Sequence, residues 1–498
     1  MINPLILLVL SPLLGVLVLL FIPNENKKAL RWVALLSSLL TFALAISMLL
    51  QFNKADPNMQ LGMNVPWITL GTLSINLNFG VDGISILLLL LTAVLTPVSL
   101  LSTWTAVEKQ VKGFMIAFLL LEVGMLGVFT ALDLILFYVF WEFTLIPMYF
   151  LIGIWGGERR IYAAIKFILF TMAGSLLMLL AIIVIGNRAG SFQWADLVAG
   201  RQLFADIQPW LFLAFALAFA IKVPIFPLHT WLPDAHVESP TAGSVILAGV
   251  LLKMGTYGFV RFNLPLFPET FIKAAPWIGG LAVIGILYGA AVSYFQKDMK
   301  KLVAYSSVSH LGFVMLGLFA LTPIAVSGAV LQMINHGLST GALFLMVGLL
   351  YERRHTREMS QFGGVWKVVP LMGAVMLIVT LSSAGLPALN GFIGEFTILL
   401  GSYGSQVLGS PWFTILGTLG VILAAVYLLV LFEKVYLGPI KVDENRGLKD
   451  MNAREIITLL PLLVLIFWIG LYPKPFFALI DPAVQQLLQS ITTAAAGL

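Results

Sequence analysis

The sequence predicts an all-α polytopic membrane protein of about 14 transmembrane helices, with two inverted five-helix repeats (spans 4–8 and 9–13) and broken helices in spans 7 and 12. Three observations lead there. Of 498 residues, 60% are hydrophobic and only 10% charged, whereas a soluble domain averages about a quarter charged. Apolar segments long enough to cross a bilayer recur along the whole chain. Basic residues fall on alternate loops, as the positive-inside bias requires.

The first apolar stretch, 4–22, has no Lys or Arg ahead of it and no small-residue cleavage site behind it. It is therefore expected to be a retained span and not a secretory signal. Further spans are expected near 30–50, 82–103, 113–131, 132–154, 163–186, 209–228, 241–261, 274–294, 302–321, 324–350, 369–400, 411–436 and 456–473. Only Asp133 separates the adjoining pair at 113–131 and 132–154. With this count, 18 of the 28 basic residues lie in one set of loops and six in the other, Arg261 among the six and Lys300 among the 18; four lie within spans or at their ends. An extra or missing helix would scramble that asymmetry. It places both termini on the outer side.

One transmembrane domain is thus expected over 1–498. Residues 1–112 supply N-terminal spans, 113–261 a first inverted repeat, 274–436 a second, and 437–498 a last span and tail. The polar gaps near 51–81, 187–208 and 437–455 read as loops, and the Ala-rich end 494–496 as frayed. The net charge of +5 gives no reason to invoke nucleic acid. There is no cysteine, which excludes Cys-ligated clusters, thiolate metal sites and disulfides. No Gly-rich nucleotide motif occurs. No cofactor and no metal is expected in this chain.

The functional signal is the ionisable groups within apolar spans: Glu142 in WEFTLIP, Lys222 in AIKVP, Lys253 in LLKMG and Glu395 after NGFIG. A charge at the bilayer centre costs ~2.5–3.5 kcal/mol even on the lenient insertion scale. Four such groups point to a proton relay, although any one alone could be static glue between helices. An acid and an amine a few ångströms apart hold each other charged against desolvation, so moving a neighbour switches their protonation. Two spans are damaged. Pro224 and Pro227 follow Lys222, leaving it beside freed carbonyls, and Gly385-Leu386-Pro387 precedes Glu395. Broken helices persist at depth only where they line a cavity or are buried in protein. The breaks lie five spans apart. Because five is odd, repeats of that length are inverted, which suits ion sites at the midplane.

His310 and His336 also fall within spans and titrate near neutrality when unperturbed. A shuttle, a structural histidine and a bis-His haem all fit them. Glu122 is a further relay candidate. Lys166 can snorkel to the span end, and Lys434 can pair with Glu433. Asp234, His236 and Glu238 resemble a metal cluster on paper, but after two prolines they read as a solvated loop or turn.

Four longer stretches carry a resemblance: AIKVPIFPLHTWLPDAH (220–236), PTAGSVILAGVLLKMGTYGFVRF (240–262), LVAYSSVSHLGFV (302–314) and MINHGLSTGALF (333–344). Together they resemble the antiporter-like subunits of respiratory complex I and their Mrp antiporter relatives. The glutamate in GFIGEF, where other branches carry lysine, is similar to the M-type (chain 4) branch. So is an ending soon after span 14, without a long lateral helix. Ile165 departs from the small hydroxyl residue usual before the lysine at 166.

The resemblance implies that Glu142 and Lys222 are a coupled pair, Lys253 and His310 a central relay, His336 part of the polar axis and Glu395 an exit group. It further implies proton translocation driven by quinone reduction elsewhere in a complex. Flavin, iron–sulfur clusters and quinone would reside in partner subunits. Partners would be other membrane subunits, antiporter-like homologues among them, the lipid bilayer and, indirectly, a peripheral redox arm. The membrane would be a bacterial plasma membrane or a thylakoid, and the electron donor NADH or ferredoxin. A subunit of a multisubunit Na⁺/H⁺ antiporter or a hydrogenase-linked pump shares the same motifs. A solute transporter would need a roomy midplane pocket instead.

Overall fold

The computed structural model describes residues 3–71 and 73–496. Two helices, α1 (Pro4–Phe21) and α2 (Lys27–Gln51), open the chain. Asn3 and Asn26 cap them by accepting the backbone N–H of Leu5 and Ala29. The stretch expected to be a loop near 51–81 contains an antiparallel hairpin instead, β1 (Gln60–Leu70) and β2 (Leu73–Val81). Its strands pair from Gln60–Val81 to Leu70–Leu73 with two irregularities. Gly71 at φ +62° supplies the backbone conformation that a tight turn needs.

Next come α3 (Ser85–Ser102), α4 (Val111–Thr130), α5 (Leu134–Trp155) and α6 (Arg160–Ala189). The split expected at Asp133 is present and has a clear cause. The Asp133 carboxylate caps α5 through the N–H groups of Ile135 and Leu136, at 2.9 and 3.1 Å, and accepts Asn76 N–H from the hairpin at 3.0 Å. The short α7 (Trp194–Ala199) precedes α8 (Gln208–Lys222).

Helix α8 stops at Lys222, and α9 (Trp231–Glu238) resumes after a non-helical stretch. The prolines break the ladder as expected, but the freed carbonyls find new partners. Ile225 N–H donates to Ala220 O at 2.9 Å, and the Trp231 indole donates to Ile221 O at 2.9 Å. Asp234, His236 and Glu238 therefore lie on a helix, not in a loop.

The next crossing alternates α10 (Thr241–Ile246), a π-helical turn (Leu247–Leu251), α11 (Leu252–Gly258), a second π turn (Phe259–Asn263) and α12 (Leu264–Leu266). It is buried throughout. Two long helices flank the core, α13 (Pro268–Tyr294) and α14 (Met299–Ala320), with α15 (Pro323–Arg354) as the central one. The second break separates α16 (Pro370–Ser383) from α17 (Asn390–Tyr403), with Gly385 at φ +76° between them. The chain finishes with α18 (Trp412–Tyr436), α19 (Ala453–Leu471) and α20 (Lys474–Ala496).

Among the described residues, 13 helices are long and apolar enough to cross a membrane; α16 is a shorter apolar helix. The C-terminal segment is more than a tail. It is helical as far as Ala496, buries Ile480, Ala483, Val484 and Ile491, and bonds Asp481 to Ser327 of α15 at 2.7 Å.

Two basic residues assigned to loops are buried. Arg261, within the second π turn, pairs with Asp82 at 2.6 Å, their side chains 4% and 5% exposed. Lys300 sits in the first turn of α14 and is likewise buried.

Candidate functional site: a buried acid–base axis

The axis is built where α14, α15 and α17 meet the π-bulged crossing. The first π turn ends two residues before Lys253 and adds a residue to the helical circuit. Such bulges often mark functional positions. The Lys253 ammonium donates to Ala248 O and lies 2.6 Å from His336 Nδ1 on α15. Among the described residues no carboxylate comes within 4.0 Å of Lys253, so an imidazole and a backbone carbonyl are its partners.

The rings of His336 and His310 are 6.0 Å apart. His310 Nδ1 then lies 2.7 Å from Glu395 Oε1, and Tyr427 OH lies 3.1 Å from His310 Nε2. Gln332 Nε2 donates to the same Glu395 oxygen at 3.2 Å. Glu395 can sit here because α17 restarts only five residues earlier and because Gly394 lets it press against α15. A Cβ at Gly394 would lie 2.1 Å from Gln332 Oε1.

Uncharged polar groups extend this line. Asn335 Nδ2 donates to Asn390 O at 2.7 Å, and the Ser382 hydroxyl to Asn390 Oδ1 at 2.6 Å. Ser339 and Ser382 hydroxyls are 2.7 Å apart. A cavity of about 10 Å³ lies among His310, Gln332, Asn335, His336 and Ser382, enough for about one water with several polar partners. His336 Nε2 and Glu395 Oε2 are buried without a hydrogen-bond partner.

Glu142 and Lys222 form a separate group. Lys222 is fully buried at the C-terminal end of α8, its ammonium 5.4 Å above the Trp141 ring and 5.6 Å above the Phe167 ring. Glu142 is within electrostatic reach of it, yet no ion pair of 4.0 Å or less joins them. Glu142 is only half-buried and shares its surroundings with Tyr138, one turn earlier. Of the six residues expected in the relay, Lys253 therefore touches His336 and His310 touches Glu395, the two pairs facing each other across a 6.0 Å step between the imidazole rings, and Glu142 and Lys222 approach without touching.

The remaining candidates sort differently. Lys166 does not simply snorkel; it pairs with Asp234 of α9 at 2.7 Å. Glu238 accepts Arg159 N–H at 2.9 Å. His236 is fully buried, stacks on Phe344 at 4.6 Å, and leaves both ring nitrogens without a partner. Among the described residues, no group of three or more His, Cys, Asp or Glu is arranged to hold a metal. Glu122 is buried beside Thr96 of α3, remote in hydrogen-bond terms from the axis. Lys434 and Glu433 are both exposed, with no ion pair of 4.0 Å or less between them.

Sequence reasoning missed Tyr427 and the asparagine–serine extension, because an uncharged polar residue in an apolar helix costs little and stands out little. It also missed His236 as a buried base between Lys222 and Lys253 in chain order.

These features define a class: a polytopic membrane protein in which acids, amines and imidazoles line up across the bundle interior at two interrupted helices. The family described as the NADH:quinone oxidoreductase/Mrp antiporter transmembrane family matches residues 131–425, and the chain belongs to it. It is 44% identical to NADH-quinone oxidoreductase subunit M of Rickettsia prowazekii (strain Madrid E) over 96% of this chain and 97% of that protein. It is 45% identical to subunit M of Rhodobacter capsulatus, covering 94% and 92%, and 42% identical to NADH-ubiquinone oxidoreductase chain 4 of Arabidopsis thaliana, covering 97% and 96%.

Its fold is similar to a chain of respiratory complex I from Thermus thermophilus with bound NADH. The TM-score is 0.87 at 34% identity, with 98% of this chain and 99% of that one covered. A chain of an archaeal membrane-bound sulfane sulfur reductase gives a TM-score of 0.84 at 26% identity, covering 95% and 76%. The protein is an integral membrane protein of this family.

Proposed function

We propose that this chain is the M-type, proton-translocating membrane subunit of a type I NAD(P)H- or ferredoxin:quinone oxidoreductase. Quinone reduction, and the flavin and iron–sulfur chemistry behind it, belong to partner subunits. The observation that carries the reading is the buried row Lys253–His336–His310–Glu395, hydrogen-bonded at each end, with the 6.0 Å step between the two imidazoles lying beside a cavity that holds about one water. The names borne by its relatives supply the redox assignment.

In this reading the α8–α9 and α16–α17 breaks occupy corresponding positions in two inverted units, 113–261 and 274–436. Counting α16 and α17 as one interrupted crossing gives 14 spans. The basic-rich loops face the inside and both termini face outward, in a bacterial plasma membrane or a thylakoid. Redox work done elsewhere displaces Glu142 relative to Lys222. The altered field then changes the proton affinity of Lys253, and a proton passes through His336 and His310 to Glu395. Moving one charge against 100 mV costs ~2.3 kcal/mol. A shift of one pKa unit corresponds to ~1.4 kcal/mol, so displacements of a few ångströms between buried charges suffice.

The test is to purify the intact assembly by a tag on this chain, assay quinone reduction, and measure acidification by vesicles containing it. Lys253→Met should lower the protons moved per quinone reduced while the isolated redox arm keeps its NADH or ferredoxin oxidation. Recovery of a cation-exchanging assembly without quinone reductase activity would instead place the chain with the Mrp antiporters.

A further inference from the structure

A cavity of about 650 Å³ outside the axis is lined by the turn between α5 and α6, the end of α9, the start of α14 and the end of α15. Its charged lining includes Glu158, Arg159, Glu238, Asp298, Lys300 and Arg357. One of these is unlike the rest. Lys300 is 6% exposed, and its ammonium donates to Ser239 O and, at 3.5 Å, to Val237 O. Among the described residues no carboxylate lies within 4.0 Å of it.

Val237 and Ser239 end the α9 segment. The last carbonyls of a helix have no partner within it, and a cation there is favoured by the helix dipole. Arg357 supplies a second cation, donating to Val237 O at 2.7 Å while pairing with Asp298 at 3.2 Å. Asp298 in turn caps α14 through the N–H groups of Lys300 and Lys301. The end of α9 is thus fastened to the start of α14, the helix that carries His310.

Just inside this fastening is His236, buried, with both ring nitrogens unpartnered. Its backbone carbonyl accepts the Ser244 hydroxyl at 3.0 Å. Lys300 and Lys253 both lie within electrostatic reach of the His236 ring. A polar, roomy cavity and an unsatisfied buried base are separated by one helix end held by one lysine and one arginine.

We propose that Lys300 is a positioning residue that clamps the end of α9 and closes the floor of this vestibule over His236, so that loosening the clamp admits water to the buried histidine. The inference rests on the proton-translocation reading for its purpose, but its geometry can be tested without it. Because the clamp joins α9 to α14, a displacement of either helix would open or shut the vestibule floor and would tie proton entry to the state of the axis.

The absence of native cysteine from this chain provides the test. Ser244→Cys, which exchanges one oxygen for sulfur behind the clamp, is introduced into the intact purified complex. Its modification by methanethiosulfonate ethylammonium is followed by mass spectrometry of this subunit. Loss of hydrogen bonds from a charged donor should raise the labelling rate about tenfold or more in Lys300→Met, and Lys300→Arg should restore the slow rate. Arg357→Gln, which leaves Lys300 in place, should give a smaller rise, and it carries the comparison if Lys300→Met does not assemble. Equal labelling in parent and clamp variants overturns the proposal. Faster labelling in complexes that never acidify vesicles would uphold the clamp and refute the proton-translocation reading.

Discussion

His310 Nδ1 lies 2.7 Å from Glu395 Oε1, joining α14 to the restarted half of an interrupted crossing. Both side chains are almost fully enclosed, 4% and 3% exposed. Each is therefore the other's principal polar partner, with Tyr427 and Gln332 completing the shell.

Groups that act in series lose function together. Glu395→Gln and His310→Ala should each lower vesicle acidification by about a hundredfold, the scale of a lost acid–base step. The double variant should be no worse than either single one, because both cut the same path. Additive losses in vesicle acidification would mean two independent routes.

Glu142 should behave as a control element. Glu142→Gln keeps the side-chain volume and removes only the charge, so the intact complex should still assemble. Proton movement should fall to background. Assembly is checked by recovery of the intact complex, and unchanged pumping would remove Glu142 from the mechanism.

The Asp82–Arg261 pair makes a prediction about stability. Removing one member leaves an uncompensated buried charge, and Asp82→Asn or Arg261→Met should each cost about 3–5 kcal/mol. The combined Asp82→Leu/Arg261→Met variant should recover much of that loss. Thermal unfolding of the purified complex followed through this subunit would show it. A double variant less stable than both singles would contradict it.

Glu108 gives a pH dependence outside the spans. Hydrogen bonds from Lys27 at 3.0 Å and Arg31 at 2.6 Å hold its carboxyl below the ordinary value of 4.5. A depressed folded value stabilises the folded state above the unfolded pKa, and that contribution disappears as the pH falls through the folded value. Glu108→Gln should therefore lower the unfolding temperature slightly at pH 7 and not at acid pH, with proton pumping unaffected. The site is solvent-exposed, so raising the salt concentration should shrink the difference.

The apolar spans and the two interruptions were legible in the sequence because they depend on length, composition and proline chemistry, all of which are local. The four axis residues were legible because an ionisable group in an apolar helix is costly enough to stand out. The hairpin at 60–81 was not, since Pro66 and Gly71 interrupt an alternation in which Val65, Trp67 and Ile68 are exposed. Arg261 and Lys300 were misplaced for a different reason. Each lies near a span end, where solvent and buried partners cannot be told apart until Asp82 or the end of α9 is brought beside it in three dimensions. The gap between Glu142 and Lys222 is likewise a property of packing, in which Trp141 and Phe167 occupy the space around the ammonium.

The π-helical turn at Leu247–Leu251 has a consequence for anyone who edits or compares this crossing residue by residue. One residue of a regular helix turns the chain by about 100°. Deleting a single position there to restore ordinary winding would rotate Lys253 away from His336 by more than a quarter turn while leaving hydropathy and length almost unaltered. A hydropathy profile would score the shortened helix as equivalent, yet its amine would point at the wrong neighbour.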